Sequence, residues 1–246
     1  MRKTLLITGA SAGIGAATAE LAAEAGHDVV VNYRNDSEGA ERVAERARAA
    51  GARALVCRAD VADPDQITDM FGRIDADFGR LDALVNNAGI VDQRANVTDL
   101  THARLRRMFD VNVIGAMLVA KEAVLRMQAQ GTGGAIVNVS SVAARLGSGG
   151  EYVDYAASKA AIDTFTKGLS DEVAAQGIRV NAVRPGLIET EIHAKGGEPG
   201  RAQRLAHRVP MQRVGTAREV ADAILYLLSD QASYVTGSIL EVGGGR

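Results

Sequence analysis

Short β-rich runs alternate with longer Ala-rich, charge-studded runs along the whole chain. That alternation is the strongest constraint on the fold. Parallel strands need a crossover, a helix supplies it, and repeated βαβ units bury a parallel sheet between helices. The pattern predicts strands over 4–8, 28–33, 53–59, 81–86, 135–139, 178–183 and 238–242. Between them it predicts helices over 13–25, 37–50, 64–78, 101–130, 155–176 and 216–229. Gly26 and Gly51 follow the first two helices where glycine closes a helix, and Asp63-Pro64 opens the third with an N-cap and an N1 proline. Only 187–214 breaks the rhythm, interrupted by Gly196, Gly197, Pro199, Gly200 and Pro210. A connection of that length in a compact domain is usually functional.

The chain of 246 residues has no internal repeat and no linker, so it reads as one domain over 1–246. A formal charge of −2 gives no reason to expect nucleic acid, and no apolar run approaches the ~20 residues of a membrane span. The single cysteine, Cys57, fits a reducing compartment, and the apolar stretch after Met1-Arg2-Lys3 is too short for a secretory signal. A cytoplasmic protein is expected. Four scattered histidines (His27, His102, His193 and His207) have no ligand-spaced partners, so no metal is expected. Arg104, Arg106 and Arg107 read as a solvated helix face rather than an anion site.

Two stretches carry chemistry. The first expected strand runs into Thr8-Gly9-Ala10-Ser11-Ala12-Gly13-Ile14-Gly15. A glycine-rich turn between strand and helix lets backbone N–H groups meet a dinucleotide pyrophosphate at the helix N-terminus. Its spacing is GxxxGxG rather than GxGxxG, and no Lys-Ser/Thr pair follows, which excludes an ATPase phosphate loop. An acidic residue ending the second strand would repel a 2′-phosphate. Asn32-Tyr33-Arg34 stands there instead, and a guanidinium pairs with such a phosphate. NADP(H) is therefore favoured; Asp36, close by, keeps NAD(H) as the alternative.

The second stretch is Tyr155-Ala156-Ala157-Ser158-Lys159. On a helix, Tyr155 and Lys159 leave the same face one turn apart, and a fixed ammonium would lower the phenol's pKa toward a usable acid or base. On its own the pair is more often an ordinary amphipathic pattern.

The remaining motifs remove that ambiguity. Asp60-Val61, Asn86-Asn87-Ala88-Gly89, Asn112, Asn138-Val139-Ser140-Ser141, Arg184-Pro185-Gly186 and the ending Val235-Thr236-Gly237 to Gly243-Gly244 occur in order between and after the two stretches. Taken together the chain resembles the short-chain dehydrogenase/reductase family, most like bacterial members described as glucose 1-dehydrogenase-like or 3-oxoacyl-carrier-protein-reductase-like. The resemblance implies an α/β, Rossmann-like three-layer fold with a seven-stranded parallel sheet. It implies NADP(H)- or NAD(H)-dependent hydride transfer to a carbonyl or from a secondary alcohol. Tyr155 would be the acid/base, Lys159 its partner and a hold on the nicotinamide ribose, Ser141 the hydrogen bond to the substrate oxygen, and Asn112 the support of a water path to Lys159. Gly9, Ser11, Gly13, Ile14 and Gly15 would take the pyrophosphate, and Tyr33 and Arg34 the adenosine ribose end. Asp60 and Val61 would meet adenine, with Asn87, Ala88 and Gly89 along the ribose. Pro185, Gly186, Ile188 and Thr190 would hold the carboxamide side.

The resemblance also implies a mobile lid over 187–214 and a homotetramer paired through the helices over 101–130 and 155–176. Ser141 precedes Tyr155 by fourteen residues, one more than the family's common spacing, with the extra residue expected in the loop 147–154. Polar residues in these segments (Glu151, Tyr152, Asp154, Glu189, Glu191, His193, Lys195, Arg201, Arg204, His207 and Arg208) suit a hydroxylated or charged substrate, or are simply solvated. A cofactor-sensing regulator without turnover is the alternative function, although the complete set Asn112, Ser141, Tyr155 and Lys159 argues for an enzyme.

Overall fold

The computed structural model describes residues 2–190 and 197–246. Glu191, His193 and Lys195, named above as lid residues, lie outside them. Seven strands form one all-parallel sheet: β1 (Thr4–Ile7), β2 (Asp28–Tyr33), β3 (Ala54–Arg58), β4 (Ala83–Asn86), β5 (Gly134–Val139), β6 (Ile178–Pro185) and β7 (Ile239–Val242), in the order β3-β2-β1-β4-β5-β6-β7. The chain reverses its direction of travel between β1 and β4, and open α/β sheets bind ligands at such a switch point.

Strand periodicity sorts the core into two layers. Leu5, Ile7, Val29, Val31, Val137 and Val183 face α1 (Gly13–Glu24), α2 (Ser37–Ala49) and a late helix, Ala217–Leu228. Leu6, Val30, Leu84, Ile136 and Val180 face α3 (Pro64–Phe78) and the helix Ala116–Gln130 on the other side. Helices therefore cover both faces, as all-parallel sheets require. Asp63 caps α3 through the N–H groups of Asp65 and Gln66, and Thr216 and Glu219 form a capping box on the late helix. Among the described residues no helix is long and apolar enough to cross a membrane.

The helix expected over 101–130 is not one regular helix. It consists of α4 (His102–Phe109), a π-helical turn over Asp110–Gly115, and α5 (Ala116–Gln130). Gly115 is what allows the turn to pack here, because a Cβ on it would collide with the backbone of Val61. Arg104 and Asp154 also depart from what their sequence context suggests. Arg104 is no solvated residue: its Nε lies 2.7 Å from the fully buried Asp154 carboxylate. This pair pins α4 to α7 (Val153–Val173).

Candidate active site

Two adjoining cavities open at the C-terminal ends of the strands. One, of about 550 Å3, is lined by Gly9, Ser11, Gly13, Ile14, Tyr33, Arg34, Asp60, Val61, Asn87, Ala88, Gly89 and Thr190. The other, of about 450 Å3, is lined by Ser141, Tyr155, Lys159, Pro185, Gly186 and Ile188. Ile14, Asn87, Gly89 and Thr190 line both. The groove so formed runs from the end of β2, across the glycine turn, to the Tyr155 hydroxyl.

The glycine turn is fixed from below by side chains. Asn32 Oδ1 accepts from Gly9 N at 3.1 Å, while its amide donates to Cys57 O and Ala59 O. Thr8 Oγ1 accepts from Asn87 N and Ala88 N, both at 3.0 Å, and Asn87 Nδ2 donates to Thr8 O at 2.8 Å and Gly9 O at 3.0 Å. Asn87 therefore staples β4 to the turn as well as lining the groove. Gly15 lines neither cavity. It lies behind the turn, where a Cβ would come within 2.6 Å of Gly9 O, so only glycine lets α1 begin this close to β1. A turn closed in this way, with backbone N–H groups facing a groove at a helix N-terminus, fits a dinucleotide pyrophosphate.

At the β2 end, Arg34 Nη1 lies 3.5 Å from the Asp60 carboxylate and half its side chain stays exposed. Asp36, the residue that keeps NAD(H) open, accepts from Gly39 N at 2.9 Å and caps α2.

At the other end, α7 carries Tyr155 and Lys159. The Tyr155 phenol and the Ser141 hydroxyl line the same cavity, and Ser141 Oγ accepts from Ala143 N at 3.1 Å. Burial pushes the phenol above its ordinary pKa, and the neighbouring Ser141 hydroxyl opposes that rise. The downward pull expected from Lys159 does not prevail in this structure: desolvation of the phenolate does. Lys159 Nζ stands 5.8 Å from the Tyr155 ring centroid and donates to Val139 O at 2.7 Å. Burial lowers the ammonium's pKa to about 8, with the Asp163 carboxylate one turn further along α7 pulling it back up.

The extra residue between Ser141 and Tyr155 is absorbed before α7. A short helix, α6 (Ala143–Leu146), is followed by Gly147, Ser148 and Gly150 with positive φ, and Ser141 and Tyr155 still line one cavity. Asn112 lines neither cavity. Within the π turn its Oδ1 accepts from Ile90 N at 2.8 Å and its Nδ2 donates to Ile90 O at 2.9 Å, fixing the strand-end segment after Gly89. Gly89 lies between Asn112 Oδ1 and Lys159 Nζ, each 3.4 Å from where its Cβ would be. Glu151, Tyr152, Arg201, Arg208 and Arg246 form the outer wall of the smaller cavity. Of these, Arg246 carries no motif that marks it in the sequence. Among the described residues no group of three or more His, Cys, Asp or Glu side chains is placed to hold a metal ion.

Comparison with known proteins agrees along nearly the whole chain. A family model described as Enoyl-(Acyl carrier protein) reductase matches residues 9–246. The chain is 57% identical over 243 residues to the uncharacterized oxidoreductase YgfF of Escherichia coli (strain K12), covering 98% of each. It is 44% identical over 243 residues to cis-4-hydroxycyclohexanecarboxylate dehydrogenase of Sinomonas cyclohexanicum, covering 99% of this chain and 96% of the relative. Among solved structures it superposes with a TM-score of 0.93 on a short-chain type dehydrogenase/reductase from Mycobacterium marinum, which is 37% identical, covering 99% of this chain and 94% of that one.

Proposed function

The chain belongs to the short-chain dehydrogenase/reductase family, and from that premise we propose that it is an NADP(H)-preferring enzyme in which Tyr155 is the acid/base. It is a nicotinamide-dependent oxidoreductase that interconverts a secondary alcohol and a carbonyl compound. The observation that carries the proposal is the hydroxyl pair of Tyr155 and Ser141, set in a cavity that shares Ile14, Asn87, Gly89 and Thr190 with the groove along the glycine turn.

The cofactor, when bound, supplies or accepts the hydride. The chain's own groups handle the accompanying proton. In reduction the substrate oxygen gains negative charge, and Tyr155 gives it a proton while the Ser141 hydroxyl donates a hydrogen bond. In oxidation Tyr155 takes that proton back. Lys159, held on Val139 O, places positive charge beneath the phenol and stabilises the phenolate formed in reduction. Asn112 acts as a positioning residue through Ile90 and α7. Gly9, Ser11, Gly13 and Ile14 take the pyrophosphate, with Gly15 behind them. Tyr33, Asp60, Val61, Ala88 and Gly89 border the adenosine half, and Pro185, Gly186, Ile188 and Thr190 the carboxamide half.

Two finer features belong to the same reading. With Asp36 engaged on α2, Arg34 is the charge placed to meet a 2′-phosphate, which favours NADP(H). A homotetramer is supported by Ile114 and Leu125, exposed on the α4–α5 segment, and by exposed Ala157 on α7.

The test is titration of the purified protein with NADPH and NADH, followed by turnover of a panel. The panel holds sugars, 3-oxoacyl thioesters, cyclic hydroxy acids, diketones and steroids. Binding of NADPH more tightly than NADH, with turnover of one class, supports the proposal. Failure to bind either nucleotide overturns it.

A further inference from the structure

Among the described residues, Glu151 is the one carboxylate that lines the smaller cavity with Arg201, Arg208 and Arg246. Glu198 stands beside Arg201. Arg94 lies 3.5 Å from the first and 3.3 Å from the second, and Arg201 pairs with Glu151 and lies 3.2 Å from Glu198. Arg204 also lies 3.1 Å from Glu198. Two carboxylates are thus already shared among three guanidiniums. Arg208 and Arg246 line the cavity as well, and among the described residues neither side chain has an ion pair or a hydrogen bond.

Their placement is built rather than incidental. Met211 N donates to Gly244 O at 3.1 Å, tying the segment after Arg208 to the one before Arg246. Arg145 Nη2 donates to Arg246 O at 2.9 Å, and Arg246 N donates to Gly243 O. Burial together with the nearby Arg201 and Arg208 holds the Arg246 guanidinium below its ordinary pKa, with only Glu151 opposing. Gathering like charges around a partly enclosed cavity is costly unless an anion enters it. The same cavity is also lined by Val142, Leu146 and Leu187.

We propose that the substrate is a small hydroxy acid or the matching keto acid, with its reacting carbon at Ser141 and Tyr155, an apolar body against Val142, Leu146 and Leu187, and its carboxylate on Arg208 and Arg246. Guanidinium forks match a planar carboxylate, and Glu151 in the same wall favours a monoanion over a doubly charged phosphate. The carboxylate is a spectator. In oxidation the C–H bond of the carbinol breaks with its electron pair leaving as hydride to the nicotinamide, the O–H proton passes to Tyr155, and a C=O bond forms. This inference rests on the reading of Ser141 and Tyr155 as the reacting end.

Binding separates the two. Matched sets of a keto acid, its methyl ester and its primary amide, on one cyclic and several linear C4–C8 scaffolds, are titrated by calorimetry into the enzyme saturated with NADP+. At least one set is expected to show the acid bound about tenfold or more tightly than its neutral partners. That ratio is expected to collapse in Arg208→Met and Arg246→Met and to recover in part in Arg246→Lys. If no set favours its acid, or if the preference survives in both Met variants, the proposal is overturned. A preference for phosphorylated ketones over every acid overturns the carboxylate assignment. An acid preference without turnover would instead count against the Tyr155 reading while supporting this one.

Discussion

Asn112 Nδ2 donates to Ser158 Oγ across 3.1 Å, tying the π turn to the helix that carries Tyr155 and Lys159. Ser158 Oγ in turn donates to Tyr155 O at 2.7 Å. Asn112 thus holds two things at once: the segment after Gly89, through Ile90, and the first turns of α7. A π turn offers one more residue per turn than an α-helix, and such turns recur at functional sites.

Asn112→Ala strips Ile90 N–H and C=O of their partners and frees Ser158. The expected cost is about 1–3 kcal/mol of stability, read by urea denaturation, because unsatisfied buried polar groups carry their desolvation penalty. Turnover should fall further than NADPH affinity, since the damage lies at the Tyr155–Lys159 end. A stability change within about 0.5 kcal/mol, the ordinary range for surface substitutions, would mean that Asn112 holds neither element.

Lys159 predicts a pH dependence of stability. Its folded pKa of about 8 lies below the ordinary lysine value of 10.5. The unfolded chain therefore binds more protons between those values, and the stability contribution of Lys159 rises with pH across that window. Below pH 8 the full penalty of a buried ammonium is present; above it the penalty is progressively relieved. Relative to Lys159→Met, the wild type should gain roughly 2 kcal/mol between pH 7 and about pH 9.5. A gap that does not change over that range would show that the lysine is not desolvated as the structure has it.

Arg34 predicts cofactor choice. Arg34→Asp removes the guanidinium expected at the 2′-phosphate and adds a repelling carboxylate. NADPH affinity should fall by roughly ten- to a hundredfold, the scale of a lost charged hydrogen bond, while NADH affinity rises. Unchanged affinities for both nucleotides would remove Arg34 from the site.

Much of this architecture is legible in the sequence, because alternation and glycine punctuation are local signals. The seven expected strands all form, with ends shifted by a residue or two where pairing decides. β6 runs on to Pro185 because Arg184 and Pro185 still have Glu241 and Val242 beside them. The glycine turn, Ser141, Tyr155 and Lys159 stand out in the sequence for the same reason, their motifs being contiguous. What sequence patterning misses is set by tertiary contact. Helical periodicity does not distinguish a π turn from a regular helix, so the break at Asp110–Gly115, imposed where Gly115 meets Val61, is invisible to it. Arg104 looks solvated until Asp154, fifty residues away, closes over it. Arg246 follows three glycines and has no spacing to any motif; only the fold brings it to the cavity that Tyr155 lines.

The central claim is that Tyr155 moves the proton. The most direct measurement compares Tyr155→Phe with the wild type on whichever substrate class the panel identifies, at saturating NADPH, with the nucleotide affinity measured alongside. NADPH binding should be retained, and kcat should drop by about 10²–10⁴-fold, the usual worth of a positioned acid/base. A kcat close to that of the wild type, with NADPH still bound, would contradict the account and place the proton on another group.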